Sequence, residues 1–245
     1  MVNLEPVVNR CKFDLATTYS NFWGYQVVRY AKEQGLNYKD LDGKLAVKPN
    51  WDPAIQERPQ AFACGTGHGN PTKYSGQNMN ILLDLESTAD QALMTGRYGS
   101  FLSCSFGQGM QKWLDAGMRT FLGYREDYVF VAGTHAPDDA IAQTFGNSHH
   151  AYDLAFLDAK QKGVSDKEAD EQAYQASQAR YQKEYENARY PEHRQYLKYC
   201  QIIQVHGAKV EEQPPPPPEN KYCILPEWLR RWLKCRWNEA TSKTS

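Results

Sequence analysis

Ala61-Phe-Ala-Cys64-Gly-Thr-Gly-His68-Gly69-Asn-Pro71 and Gly99-Ser-Phe-Leu-Ser-Cys104-Ser-Phe-Gly-Gln-Gly109 decide the fold of this chain. Each is a short apolar run that stops in a glycine-rich loop, the pattern of a buried strand feeding a turn. Beyond the second run, Met110 to Ala116 reads as a helix stopped by Gly117. Arg119–Gly123 and Tyr128–Val131 then read as strands. Strand, loop, helix and strand in this cadence predict an α/β domain with a mainly parallel sheet. In such sheets, ligands bind in loops beyond the carboxyl ends of the strands, where both glycine-rich loops fall.

Working outward, Cys11–Ala16 reads as a first strand. A helix is expected from Asn21 to about Gln34, with Trp23, Val27, Val28 and Ala31 on one face and Gly35 as its stop. Residues 36–58 are polar and punctuated by proline, which predicts a loop with one short strand at Lys44–Val47. From Ala151 the composition shifts. Ser165-Asp-Lys-Glu168 is a capping box that opens a polar helix to about Ala188, whose balanced charges suit a solvated outer position. Tyr196–Val205 reads as a last strand returning to the sheet. The α/β domain is thus assigned to residues 1–210, followed by a Glu/Pro-rich linker at 211–219 that contains Pro214–Pro218. The segment 220–245 is basic and Trp-rich, with Trp228, Leu229, Trp232 and Leu233 on one helical face. That combination suits a protein or membrane-surface partner.

Composition excludes several classes. The 245 residues are 41% hydrophobic and 23% charged, an ordinary globular mix rather than a collagen-like, disordered or coiled-coil one. With 28 basic and 29 acidic residues the net charge is −1, so no nucleic-acid partner is expected. Six cysteines at 11, 64, 104, 200, 223 and 235 form no C-x-x-C pair, and the start lacks a secretory pattern. A cytoplasmic location with reduced thiols is the expectation. Gly65, Gly67 and Gly69 lack the third-glycine spacing and immediate helix of a dinucleotide loop. His68, His135, His149 and His150 show no metal-ligand spacing, and an adjacent pair rarely holds one ion, so no metal or cofactor is expected.

What the two loops permit is thiol nucleophilic catalysis, in which a thiolate attacks a carbonyl, an imidazole manages protons and backbone amides hold the oxyanion. Cys64, inside its apolar run, reads as core, whereas Cys104 lies at the loop. The 36-residue separation, 104 − 68, is enough for one crossover between neighbouring parallel strands. The pattern resembles the caspase-like cysteine peptidases, the clan of caspases, legumains, clostripain, separases and gingipains. Its signature, a hydrophobic run ending in His-Gly and a second ending in a small or acidic residue and Cys, is matched by Ala61–Gly69 and Phe101–Cys104. Gly117-Met-Arg-Thr-Phe-Leu-Gly-Tyr124 is similar to the next strand of gingipain-type bacterial and archaeal members, with Met118 a departure. The resemblance covers about residues 10–135, and 150–207 in element order only.

The resemblance implies a three-layer α/β/α sandwich around a mainly parallel, about six-stranded sheet. It also implies an endopeptidase acting on a peptide or protein substrate through a thioester. Cys104 would be the nucleophile, His68 the general acid/base, and the amides of Gly69 and Cys104 the oxyanion hole. Leu102 stands where some members that cleave after Arg carry Asp; Asp84, Glu86, Glu126 and Asp127 are the acidic residues considered for a substrate pocket. No third catalytic group is identifiable from sequence. The competing expectation is a caspase-like scaffold with an idle dyad that works as a binding or regulatory module through its C-terminal segment.

Overall fold

The computed structural model describes residues 4–209; the linker, the Trp-rich segment, Cys223 and Cys235 lie outside the described residues. Eight strands and seven α-helices follow one another as β1 (Glu5–Arg10), α1 (Leu15–Glu33), β2 (Lys39–Asp42), α2 (Lys48–Gln56), β3 (Ala61–Thr66), β4 (Lys73–Ser75), β5 (Ile81–Asp84), α3 (Thr88–Met94), β6 (Tyr98–Leu102), α4 (Met110–Asp115), β7 (Thr120–Tyr124), α5 (Ala140–Gln161), α6 (Asp166–Asn187), α7 (Pro191–Ile203) and β8 (Gln204–Ala208). Six of these strands form one sheet in the order β2-β1-β3-β6-β7-β8. The first five are parallel, and β8 closes the edge antiparallel to β7. β4 and β5 make a separate antiparallel hairpin in the β3–β6 crossover.

Period-2 alternation along the strands builds the layers. Val7, Ala61, Ala63, Phe101 and Phe121 point to one face, where Trp51 and Ile55 of α2, Met94 of α3 and Trp113 of α4 cover them. Their neighbours Val8, Phe62, Cys64 and Leu122 point the other way, into Val27 and Val28 of α1, Phe156 of α5 and Ala173 of α6. The result is the three-layer α/β/α sandwich. Cys64 is fully buried, as its apolar run implied. No helix among the described residues is long and apolar enough to cross a membrane.

Five assignments are corrected. The first strand is Glu5–Arg10, not Cys11–Ala16. Its Val7-Val8 pair lies between β2 and β3, while Asp14 caps α1 and starts that helix six residues before Asn21. The strand expected at Lys44–Val47 is instead a 3-10 turn at Gly43–Leu45, flanked by β2 and by α2, which has a proline in its first turn. Tyr128–Val131 is not a strand: β8 occupies that edge of β7, and the apolar side chains pack on the layer of α1 and α5. Residues 191–203 form a helix with Pro191 at its first turn and Leu197, Cys200 and Ile203 on its buried side; only Gln204 onward is strand. Finally, α6 is capped by Ser165 as expected but is not a fully solvated outer helix, because Ala169, Ala173, Ser177 and Tyr181 are buried.

Candidate active site

The chain leaves β1 for β2 on one side, and β3 then joins β1 on the other, so the gap beyond the carboxyl ends of β1 and β3 is a topological switch point. Ligands favour such crevices. Three loops meet there: 11–14 after β1, 67–71 after β3, and 103–109 after the neighbouring β6. They bring Asp14, His68 and Cys104 to the same end of the sheet.

Asp14 sits where two local demands coincide. As the N-cap of α1, its Oδ1 accepts from the Thr17 amide at 2.8 Å, and the Thr17 hydroxyl accepts in return from the Asp14 amide at 3.0 Å. This reciprocal pair satisfies free amides of the first helical turn. The other carboxylate oxygen, Oδ2, lies 2.6 Å from His68 Nε2. Partial burial works against the charge on Asp14, but the Thr17 amide and hydroxyl and His68 outweigh it and hold the carboxyl below its ordinary range. An ionised Asp14 can only accept, so Nε2 carries the proton and Nδ1 is left as the basic nitrogen. The Phe13 ring meets the imidazole edge-on at 5.6 Å. Asp14 is the residue that the sequence reading missed; its one local signal was the Asp-x-x-Thr capping pattern ahead of a helix.

His68 and Cys104 line one cavity of about 130 Å³, whose other walls include Ala16, Trp23, Leu102, Tyr128 and Phe130. The His68 side chain is 33% exposed. Among the described residues the thiol and the imidazole make no hydrogen bond to each other; Cys104 Sγ lies 3.9 Å from the Tyr128 carbonyl oxygen. Burial pushes the thiol above its ordinary pKa, and the nearby Asp127 carboxylate pushes in the same direction. The turn after Cys104 is strained: Ser105 has φ +55°, in the left-handed region. Its amide donates to the Glu126 carbonyl at 2.9 Å and its hydroxyl to Asp127 at 3.2 Å. Such strain is typical of loops that hold a functional group in a fixed attitude.

Gly69 shows why the loop needs glycine. A Cβ there would lie 2.1 Å from Ser103 Oγ, 2.9 Å from the Lys73 carbonyl oxygen and 3.1 Å from that of Cys104. Gly69 is bridged to Tyr74, and the hydrogen bonds of that bridge run from Asn70 to Lys73 and from Ser75 to His68. Gly69 is therefore the non-hydrogen-bonded member, and its own N–H points away from β4. At Gly67 the Ser75 carbonyl oxygen would meet a Cβ at 1.9 Å. Close backbone packing, not phosphate binding, accounts for both glycines.

The four acidic residues considered for a substrate pocket do not line this cavity. Asp84 pairs with Lys73 at 3.3 Å and Glu86 is exposed beside it. Glu126 and Asp127 are exposed and hold the Ser105 turn from outside. A second hollow, of about 520 Å³, shares Ala16 and Phe130 with the first and continues past Leu15, Tyr19 and His135. Compared with known proteins, the chain matches no family model, no curated protein and no solved structure.

Proposed function

We propose that the protein is a cysteine hydrolase, an endopeptidase of the caspase-like kind, with Cys104 as nucleophile, His68 as general acid/base and Asp14 as the residue that positions His68. The observation that carries this reading is the convergence of the three groups: His68 and Cys104 share one cavity at the ends of adjacent parallel strands, and a carboxylate fixes the imidazole tautomer. A raised thiol pKa makes a preformed thiolate–imidazolium pair unfavourable in the free protein. Nδ1 therefore takes the thiol proton as Sγ attacks the scissile carbonyl. The Gly69 and Cys104 amides receive the developing oxyanion. The imidazolium then protonates the leaving amine, and the thioester left on Cys104 is hydrolysed by a water that His68 deprotonates.

The walls of the cavity bear on substrate choice. Trp23, Leu102, Tyr128 and Phe130 are apolar, and no acidic residue lines the cavity. An uncharged, apolar side chain next to the scissile bond suits them, and the neighbouring hollow gives an extended peptide room to continue.

The test is labelling by a substoichiometric thiol-reactive acyl-type probe near pH 7, mapped by peptide mass, together with a peptide-library cleavage screen. Selective labelling of Cys104 that is lost in His68→Ala, with cleavage abolished in a folded Cys104→Ala variant, is the expected result. A folded Cys104→Ala protein that still cleaves would sink the assignment. Scattered, His68-independent labelling of all cysteines would favour the idle scaffold.

A further inference from the structure

On the opposite side of the sheet from α2 and α4, helix α5 carries a second concentration of chemistry. His149, His150 and Asp153 are each 0% exposed. Helical spacing sets them together: Asp153 Oδ2 lies 2.7 Å from His150 Nδ1, three residues back, and 3.9 Å from His149 Nε2, four residues back. Among the described residues this is the one group of three or more His, Cys, Asp or Glu residues whose ligand atoms all lie within 4.8 Å of one another.

Three of its polar atoms, His149 Nε2, His150 Nε2 and Asp153 Oδ1, are buried and have no hydrogen-bond partner. No Lys or Arg among the described residues pairs with Asp153; its ion-pair partners are the two histidines alone. A buried carboxylate without a cation, beside buried nitrogens without partners, is costly.

The surrounding hydrogen bonds are compatible with a metal-ligating role for His149. His149 Nδ1 lies 3.0 Å from the Tyr124 hydroxyl, which in turn meets Gln204 Nε2 at 3.2 Å and the Tyr181 hydroxyl at 3.1 Å. Gln204 Nε2 can only donate to Tyr124. If Nδ1–H donates to the same oxygen and Tyr124 donates on to Tyr181, every bond is satisfied and Nε2 presents its lone pair to Asp153. A polar partner on the far ring nitrogen is the usual support of a metal-ligating histidine.

We propose that His149, His150 and Asp153 bind one divalent transition-metal ion, zinc fitting best, through His149 Nε2, His150 Nδ1 and the Asp153 carboxylate, with a fourth position open. Two neutral imidazoles and one carboxylate are a donor set suited to zinc, with ligand bonds of about 2.0–2.2 Å. In a tetrahedral site the donors stand about 3.4 Å apart, so the 3.9 Å pair would close and the 2.7 Å pair would open by less than 1 Å, while the two histidine nitrogens, within 4.8 Å of each other, would close by at most about 1.4 Å. Counting histidines along the chain gave no ligand spacing because it left out Asp153, one helical turn further on. The ion would neutralise the buried carboxylate behind β7, and the site stands whether or not Cys104 is catalytic.

The experiment uses tag-free, full-length protein freed of metal by chelator dialysis, titrated with zinc and, as a spectroscopic probe, cobalt. Bound metal is read by elemental analysis, cobalt by its visible absorption and stability by thermal melting. One equivalent of either ion, a rise in Tm, and binding weakened at least tenfold in His149→Gln and Asp153→Asn are expected, with Cys104→Ala unchanged. Because the buried variants can fail to fold, the wild-type titration decides by itself: no uptake of zinc or cobalt and no change in Tm overturns the proposal. One equivalent that persists undiminished in folded variants, or that disappears in Cys104→Ala, places the ion elsewhere and overturns it equally.

Discussion

Asp14 performs two tasks with two oxygens, and substitution can separate them. Asp14→Ala removes both the helix cap and the contact with His68. Loss of an N-cap costs about 1 kcal/mol, within a range of about 0.5–2. For a domain of this size that lowers Tm by about 2–4 °C per kcal/mol. Asp14→Ser keeps a capping oxygen, since Ser ranks with Asp at this position, but its shorter side chain cannot also reach His68 Nε2. Its Tm should stay within about 1 °C of wild type. Because the Asp14 side chain is 38% exposed, water screens its hold on the imidazole. The loss of His68-dependent reactivity should therefore be about 10–100-fold, that of a carboxylate orienting a histidine from the solvent side, rather than the larger loss seen for a fully buried triad carboxylate. The assay pairs thermal melting with peptide-mapped acylation of Cys104 from pH 5 to 9. The carboxyl is held below its ordinary value, so its stabilising contribution is fully present above about pH 4 and lost only as pH falls through the lowered folded value. The contact should thus be intact across the assay range. An Asp14→Ser protein that melts like wild type and reacts like wild type at every pH would refute the positioning role and leave Asp14 as a cap alone.

Further expectations follow from the same geometry. Gly69→Ala must push Ser103 Oγ and two backbone carbonyls away from the new Cβ, an overpacking cost of about 1–3 kcal/mol that thermal melting reads as a Tm drop of several degrees. If the Gly69 amide serves the oxyanion, hydrolysis should also fall about 10²–10³-fold; an unchanged rate would remove it from that role. Asp127→Asn takes away one of the influences that raise the Cys104 pKa, so Cys104 labelling at neutral pH should accelerate and its pH profile move to lower pH. A peptide library should show cleavage beside apolar residues, and a preference for Arg, Lys or Asp there would contradict the lining of the cavity.

What the sequence determined was local. Ala61–Thr66, Tyr98–Leu102 and Thr120–Tyr124 are short apolar runs that each contain a glycine, Met110–Asp115 ends before Gly117, and Ser165 with Glu168 spells a helix start. In each, neighbours within one turn or one strand settle the outcome. The loops that carry His68 and Cys104 were legible for the same reason. Asp14 was not: 54 residues separate it from His68, and only the placement of β1 between β2 and β3 closes that distance to 2.6 Å. β8 and the irregular path of Tyr128–Val131 were likewise settled by competition for one sheet edge, which periodicity along the chain does not record. The four acidic residues were proposed for their charge, but the tertiary structure turned Asp84 to Lys73 and Asp127 to Ser105. Local hydrophobic spacing marks the central strands β3, β6 and β7 and the helix α4. Which of them become neighbours depends on burying both faces of one sheet at once, and the constellation of Asp14, His68 and Cys104 exists only after that choice is made.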